Sequence, residues 1–441
     1  MKPILFRFQE RFRGRLALAR VLVNSAWLAA DNLFRLGVAF IVGAWVARHL
    51  GPERYGLLNY AIAFCAPFSA LVGLGLNGIL VRDLVREPES AGELLGSAAA
   101  LKAGAGMISA SLCIAFVFLI PGIDPRTQWL VVVTIAGTAL QAVDVFDLWF
   151  QAQSQARVSA WVRSGASVCV NASKVGMILG DVPLPWFAAA AGMELIVAGL
   201  GLWLLMRRQP QAWRVRWRRC ATFMREGWLV AVAGIAVQIQ AYFDQVLLNA
   251  MRGPAEVGVY AAALRLIAVF SFIPMALSAA AAPEITRAFL DDRERYFRRM
   301  SGLYRAMYVA FACTWVPLAL FSNLVVETVF GPEFAASAVL LPVLAWRLLI
   351  TNLGVVRSVY LTNERLNGHG TWTAITGAAV NIALNVVLIP RWGAMGCCVA
   401  ALVSFGLNTV VLEAVHARGR INLRLMIAGL GFPVFSERAR D

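Results

Sequence analysis

Ionisable side chains inside long apolar segments are the residues of this 441-residue sequence whose chemistry is most informative. An ionised group near the centre of a bilayer costs on the order of 3 kcal/mol on insertion scales, so most such groups must face water, a partner or a ligand. The basic members of the set are Arg35, Lys102, Lys174, Arg265, Arg305, Arg347 and Arg357. Acidic residues at comparable depth are Asp31, Asp144, Asp147, Glu194 and Asp244.

The position of each basic residue within its segment predicts its role. Lys102 and Arg305 lie near segment ends, so we expect their charged groups to snorkel to the membrane interface. Arg35 lies four residues after Asp31 on the same helix face, so a local ion pair competes with a binding role. The remaining residues are predicted to line a cavity, and they are Lys174, Arg265, Arg347 and Arg357.

Unpaired cations inside a membrane path imply an anionic substrate. Asp144 and Asp147, three residues apart, are open to two interpretations: they bind a cation or a proton, or they neutralise the basic residues. Metal chemistry is not expected, because the seven cysteines include no CxxC pair and none of the three histidines lies near a cysteine pair. The sequence therefore predicts no metal site and no cofactor.

The composition determines which class of protein must hold these residues. Hydrophobic residues make up 60% of the chain and charged residues 15%, against about 45–50% and about 25% in soluble domains. Disorder is excluded, because disordered chains have low hydrophobicity. We therefore predict an all-α polytopic membrane protein.

Apolar runs predict about twelve transmembrane helices, because about 20 apolar residues cross a bilayer core. Only short loops separate them, which leaves no room for a soluble domain. The predicted spans are about 20–47, 56–81, 95–120, 128–150, 158–180, 184–206, 226–250, 258–282, 303–325, 336–361, 371–390 and 393–416.

The distribution of basic residues predicts the orientation of these spans. With the N-terminus in the cytoplasm, 28 of the 40 basic residues fall on the inside and 5 on the outside, as the positive-inside rule expects. Both termini are therefore predicted to be cytoplasmic. The largest basic cluster, residues 207–225, also contains Trp213 and Trp217. Its juxtamembrane position favours contact with the lipid surface over nucleic-acid binding.

A short repeat divides the chain into two halves. GPERYGLLNY at 51–60 and GPAEVGVY at 253–260 follow the first span of each half. Internal duplication is typical of transporters that alternate access between two bundles. The predicted organisation is an interfacial cytoplasmic arm (1–19), an N-terminal six-helix bundle (20–206), a basic cytoplasmic linker (207–225), a C-terminal six-helix bundle (226–416) and a cytoplasmic tail (417–441).

One glycine motif has two interpretations. Gly73, Gly75 and Gly78 match GxGxxG, but a dinucleotide site needs a preceding strand, and these glycines lie inside an apolar span. Helix packing or a local helix break is the favoured interpretation.

Several motifs, in order, resemble Wzx-type polysaccharide flippases of the multidrug/oligosaccharidyl-lipid/polysaccharide (MOP) exporter superfamily. They cover about residues 20–415. The motifs are NSAWL (24–28), VARHLGPERYGLLNY (46–60), GLNGILVRDLV (75–85), YFDQVLL (242–248), VGVYAAALRL (257–266), FIPM (272–275), FGPEF (330–334) and NVVLIPRWGA (385–394).

This resemblance implies a MOP/MATE-like fold with two six-helix bundles forming a V. It also implies translocation of an undecaprenyl-diphosphate-linked oligosaccharide from the cytoplasmic to the periplasmic leaflet of a bacterial inner membrane. Asp244 and Arg265 match family positions. Asn77 replaces an Asp found in many relatives and Ala268 replaces a Glu, which weakens any coupling scheme that needs those carboxylates.

On this interpretation, a cationic cavity holds the diphosphate, because the planar guanidinium fork pairs with phosphate oxygens. Coupling to a proton or sodium gradient is assigned to acidic residues. The diphosphate ligands are Arg35, Lys174, Arg265, Arg347 and Arg357, and the coupling residues are Asp31, Asp144, Asp147 and Asp244. Expected partners are the lipid-linked oligosaccharide, the bilayer, and polysaccharide polymerase and chain-length proteins.

Other functions stay open at this point. A multidrug exporter of the same superfamily should prefer an acidic cavity. A lipid II flippase is harder to distinguish by sequence. A polysaccharide polymerase or ligase usually needs a large outside loop, and the longest predicted one here spans about 323–336. A transporter is therefore expected rather than an enzyme.

Overall fold

A computed structural model describes residues 2–153, 155–207 and 213–432, with the backbone alone for residues 2–32, 156 and 191. These residues form helices and contain no strand, which confirms the all-α class. The α-helices are α1 (Lys2–Gly73), α2 (Leu76–Arg86), α3 (Ala91–Leu119), α4 (Pro125–Ala139), α5 (Val145–Ala152), α6 (Ala156–Leu179), α7 (Leu184–Met206), α8 (Trp217–Arg252), α9 (Pro254–Ala268), α10 (Phe272–Asp291), α11 (Arg293–Leu320), α12 (Ser322–Phe330), α13 (Ala336–Asn363), α14 (Asn367–Trp392), α15 (Ala394–Thr409) and α16 (Ala417–Gly429). Short 3-10 helices occupy Pro88–Ser90, Leu140–Asp144, Val269–Ser271, Pro332–Phe334 and Val411–Val415.

Ten helical stretches of the described residues are long and apolar enough to cross a membrane. The stretch Leu33–Arg86 covers the end of the first predicted span and all of the second, because α1 continues through a kink at Gly51, where φ is 70° and ψ is 171°. The predicted span at 158–180 lies in α6 but is not among the ten. It carries Arg163, Asn171 and Lys174, which lower its hydropathy. The difference in number thus comes from one merged pair and one polar helix.

The second span of each half is discontinuous. Between α1 and α2, Leu74 and Gly75 adopt positive φ values of 49° and 65°, so the GxGxxG segment is a local helix break. In the C-terminal half, the 3-10 turn Val269–Ser271 separates α9 from α10. Breaks in membrane-spanning helices free polar backbone groups, and transporters often form their substrate sites at such breaks.

The two repeated Gly-Pro motifs contact each other across the junction between the halves. A Cβ atom added to Gly56 would lie 1.8 Å from the Pro254 carbonyl oxygen, and one added to Gly258 would lie 1.9 Å from the Pro52 carbonyl oxygen. Neither position can carry a side chain without moving the opposing backbone. The repeat therefore forms a reciprocal, backbone-to-backbone joint on the side predicted to face outward.

The apolar cores are shared at one end of the molecule and separate at the other. The largest core includes Ala61 from α1 and Ala262 from α9, close to the reciprocal joint. Toward the predicted cytoplasmic side, Leu80 and Leu94 belong to one core, whereas Tyr304 and Leu425 belong to another. The halves thus share a core at the outer end and keep separate cores at the inner end, where the Arg82–Glu226 ion pair links α2 to α8.

Two segments near the predicted domain boundaries are helical. Helix α8 begins at Trp217, inside the predicted linker 207–225. Helix α16, within the predicted tail 417–441, packs on α11, where the Tyr308 hydroxyl donates to the Met426 carbonyl oxygen over 3.3 Å. The described part of the tail is therefore a packed element of the C-terminal half.

Candidate functional site

Arg265 reaches from the C-terminal half into the N-terminal half. It lies one turn before the break that ends α9. Its guanidinium donates to the Ala39 carbonyl oxygen over 2.7 Å and to the Tyr55 hydroxyl over 3.3 Å, both on α1. A Cβ atom added to Gly43 would lie 1.6 Å from the Arg265 Nη2 atom. The missing side chain at Gly43 therefore makes room for the guanidinium.

The positive charge of Arg265 is not neutralised by an ion pair within the described side chains. Its two bonded partners are a carbonyl and a hydroxyl oxygen, and its buried Nε atom has no hydrogen-bond partner. Such a group in a membrane protein is costly unless a ligand or water solvates it. Arg265 is therefore the best-placed candidate to bind an anion.

Lys174 and Arg35 extend this cationic region within the N-terminal half. Lys174, half-buried on α6, lies within electrostatic range of both Arg265 and Glu194. Arg35 on α1 forms an ion pair with Glu194 on α7, with 3.1 Å between Nη2 and Oε1. The competing local partner, Asp31, lies outside the residues whose side chains are described. Glu194 thus joins two of the predicted phosphate ligands.

Arg347 is held against an aromatic ring on the C-terminal side. Its guanidinium carbon lies 4.7 Å from the Phe405 ring centroid, and its Nη1 atom is buried without a hydrogen-bond partner. Asp244 lies within electrostatic range of Arg347 and is fully buried. The Asp244 carboxylate accepts a hydrogen bond from the Tyr260 hydroxyl over 2.5 Å. Arg347 therefore keeps bonding capacity, although its charge is partly compensated.

Arg357 lies in a different environment from the other predicted ligands. It is 8% exposed, and it donates from Nε to Glu413 over 2.7 Å and from Nη2 to Thr373 over 2.8 Å. The fully buried Glu413 also contacts His369 and accepts from Asn422 over 2.9 Å. We call these residues, Arg357, Thr373, His369, Glu413 and Asn422, the Glu413 cluster. It gives Arg357 a structural partner, and a ligand role for Arg357 stays a prediction.

The prediction that Lys102 snorkels to the interface is wrong. The Lys102 side chain is 0% exposed, and its ammonium donates to the Asp144 carboxylate over 2.7 and 2.8 Å and to the Asn77 amide oxygen over 2.7 Å. The breaks on either side, before α2 and before α5, bring these acceptors to Lys102. Pairing with these two acceptors therefore lowers the free energy of the Lys102 ammonium more than extension to the interface would.

Asp147 lies one turn from Asp144 and has its own basic partner. Its carboxylate accepts hydrogen bonds from Arg163 over 3.1 Å, from Gln151 over 3.0 Å and from the Ser159 hydroxyl. Asp144 and Asp147 therefore neutralise bases in this conformation, which was one of their two interpretations. Their role in ion coupling stays a prediction.

Sequence reasoning missed three contributors to this arrangement. Glu194 stood out as an intramembrane acid but was not assigned a role, and Glu413 lies in the last predicted span. The role of Gly43 has no signal in the sequence, because it depends on an arginine more than two hundred residues away. Only the packing of α1 against α9 brings the two together.

Comparisons with known proteins place this arrangement in a family. The chain is 21% identical over 429 residues, covering 94% of this chain and 87% of the relative, to a Haloferax volcanii protein named "Probable low-salt glycan biosynthesis flippase Agl15". The fold of this chain is similar to that of a multidrug resistance MATE family transporter of the MOP superfamily in the inward-facing conformation. That match has a TM-score of 0.71 at 15% identity and covers 90% of this chain and 96% of the transporter.

The fold is also similar to that of the lipid II flippase MurJ in an inward closed conformation. Here the TM-score is 0.72 at 13% identity, over 93% of this chain and 91% of MurJ. These similarities confirm the MOP/MATE-like helical fold. The model of the family described as "Polysaccharide biosynthesis protein" matches residues 21–289, more than half of the sequence. The chain, a multi-pass membrane protein, therefore belongs to the polysaccharide biosynthesis protein family.

Proposed function

We propose that this protein flips an undecaprenyl-diphosphate-linked oligosaccharide from the cytoplasmic to the periplasmic leaflet by alternating access. The observation that carries the proposal is the guanidinium of Arg265, which spans the junction of the two halves with no carboxylate partner among the described side chains. Membership of a polysaccharide biosynthesis family supports a glycan as the cargo.

The predicted ligands that keep unused donors suit a diphosphate. Guanidinium groups bind phosphate oxygens through paired N–H donors. Arg265 has an unused buried Nε atom, Arg347 has an unused Nη1 atom, and Lys174 adds an ammonium within electrostatic range of Arg265. A bound diphosphate would supply the negative charge that Arg265 lacks among the described side chains.

The conformation described here is suited to loading from the cytoplasmic side. The halves share an apolar core at the outer end, whereas their inner ends have separate cores and meet along α8. Alternating access requires the opposite arrangement as well, with the outer joint opened and the inner ends brought together. The diphosphate and glycan would cross in the polar path, while the polyprenyl tail stays in the lipid.

Energy coupling remains an assignment to acidic residues. The carboxylates of Asp144, Asp147 and Asp244 each accept a hydrogen bond from a neighbouring side chain, and a bound proton or cation would displace that donor. Asp31, the fourth member of the set, lies outside the described side chains. These four residues stay predicted coupling sites.

The proposed cellular setting follows from the cargo. We place the protein in a bacterial inner membrane with both termini in the cytoplasm. Its partners there are the lipid-linked oligosaccharide, the bilayer, and the polymerase and chain-length proteins that use the flipped product.

The test is complementation of a strain that lacks the gene. Arg265→Ala should cause lipid-linked oligosaccharide to accumulate in the cytoplasmic leaflet at normal protein levels, whereas Arg265→Lys should restore part of the export. Arg305→Ala is the matched control, because Arg305 is an exposed cation at a span end. Normal export by Arg265→Ala, or equal loss in Arg305→Ala, would overturn the diphosphate site. Accumulation of unpolymerised units on the outer face would favour a polymerase.

A further inference from the structure

A cavity of about 490 Å³ lies inside the N-terminal half, and Arg265 is not among its lining residues. It lies between α1, α5, α6 and α7, and its walls include Arg35, Gln141, Gln151 and Arg163. Its volume is within the range of about 300–1,000 Å³ that is typical of small-ligand sites.

The charges around this cavity compensate one another. Arg35 is paired with Glu194, Arg163 with Asp147, and Lys102 with Asp144, which lines the cavity. A second anion-binding site would need an excess of cations, and a site for lipophilic cations would need an excess of acids. Neither excess is present among the described residues, so the lining favours an uncharged polar ligand.

Unused hydrogen-bonding groups face this space. Within the described residues, the Gln141 side chain makes no hydrogen bond. Gln151 donates to Asp147, which leaves its amide oxygen free. Asn77 accepts from Lys102 through its oxygen, which leaves its amide N–H groups free. Each hydroxyl group both donates and accepts a hydrogen bond, so a lining that offers free amide donors and acceptors suits a hydroxyl-rich ligand.

The cavity adjoins the proposed diphosphate site. Glu194 lines the cavity, and Lys174 lies within electrostatic range of both Glu194 and Arg265. Toward the other side, Gln141 also borders a second hollow of about 400 Å³, together with Ser69 and Gln238 on the facing helices. A glycan attached to a diphosphate at Arg265 would thus meet the cavity first and could continue past Gln141.

We propose that this cavity binds the sugars closest to the diphosphate, as an uncharged, hydroxyl-rich ligand, and that Gln141 and Gln151 determine which sugars are accepted. The inference rests on the proposed flippase function and adds a glycan site to it. Arg265, which carries the diphosphate proposal, does not line this cavity, and Gln141 and Gln151 are not diphosphate ligands, so the two kinds of recognition can be tested separately.

The experiment measures binding of two probes to the purified full-length protein in detergent. One probe is the lipid-linked oligosaccharide extracted from the cells that make this protein, and the other is sugar-free undecaprenyl diphosphate. Gln141→Leu and Gln151→Leu together should weaken binding of the oligosaccharide probe about tenfold, the effect of two lost hydrogen bonds, and leave the sugar-free probe unchanged. Gln151→Leu alone provides a second variant at an exposed position, in case the double variant does not fold.

The matched control is Gln153→Leu, an exposed glutamine that follows α5 and does not line the cavity. Equal weakening of both probes by the glutamine variants, or no weakening of either, would overturn the glycan site while the flippase proposal stands. Failure of the wild-type protein to bind either probe, or unchanged binding of both by Arg265→Ala, would overturn the proposed function itself.

Discussion

The two halves of the molecule compensate their buried charges in different ways. In the C-terminal half, the Glu413 cluster is closed: Glu413 is fully buried and Arg357 nearly so. In the N-terminal half, Asp144 is 20% exposed beside the fully buried Lys102, and it lines a cavity. One set of charges is satisfied by protein alone, whereas the other stays in contact with a space that a ligand can enter.

This difference separates structural charges from functional ones. Breaking a fully buried ion pair leaves an uncompensated charge in a medium of low dielectric constant, which is strongly destabilising. A pair beside a cavity can be solvated when one partner is lost. Arg265 forms a third category, because it has no carboxylate partner among the described side chains. Substitutions in the three categories should therefore differ in how strongly they affect stability and transport.

The largest effect is expected for Glu413→Gln. Arg357 would lose its carboxylate in a closed site, and the free energy of unfolding should fall by about 3–5 kcal/mol. Thermal unfolding of the detergent-solubilised protein measures this, with the exposed Glu327→Gln as control. If Glu413→Gln kept normal stability and lost transport, the cluster would be part of the substrate path.

A smaller loss is expected for Asp144→Asn. Lys102 would keep its hydrogen bond to Asn77, and water could enter from the cavity, so the free energy of unfolding should fall by about 1–3 kcal/mol. The same thermal measurement applies, with the exposed Asp291→Asn as control. A loss equal to that of Glu413→Gln would remove the distinction between the halves.

Gly43→Ala should change transport more than stability. The new methyl group would overlap the Arg265 guanidinium and displace it, so transport should fall about tenfold, as for the loss of a hydrogen bond to a charged group. Gly37→Ala on the same helix is the control, since nothing lies within 4 Å of its added Cβ atom. Transport that is equal in both variants would mean that the position of Arg265 does not matter.

The smallest effect is expected at the outer joint. Arg48 of the N-terminal half donates to the carbonyl oxygens of Glu327, Thr328 and Val329 at the end of α12, in the C-terminal half. Because Arg48 is exposed, Arg48→Gln should cost less than about 1 kcal/mol and shift the molecule modestly toward an outward-open form.

The counterpart of Arg48 provides the control for this change. Arg252 donates to the carbonyl oxygens of Ile389 and Pro390 within its own half, so Arg252→Gln should not alter the balance of conformations. Distances between spin labels on the two halves measure that balance. Equal shifts in both variants would show that Arg48 does not hold the halves together.

Local sequence features predicted much of the fold. The Gly-Pro repeat, which the sequence places after the first span of each half, lies at the kink at Gly51 and at the boundary between α8 and α9, and Gly51 and Gly253 both adopt the positive φ that glycine allows. The GxGxxG segment marked a helix break. The environment of Lys102 was predicted wrongly, because its distance from the end of a span does not show whether a carboxylate on another helix lies beside it. That carboxylate belongs to Asp144, which lies 42 residues away in the sequence.

The sequence by itself determined that the chain is helical, that it crosses a membrane repeatedly and that it carries costly charges inside. Those properties follow from hydropathy and from residue spacing along one helix. The tertiary structure decided which charges are neutralised, because the partners of Arg35 and Arg357 lie 159 and 56 residues away. It also decided where Arg265 points, because only the packing of α1 against α9 brings the bare backbone of Gly43 beside it. Charge pairing depends on distances between helices, and those distances are set by how the helices pack.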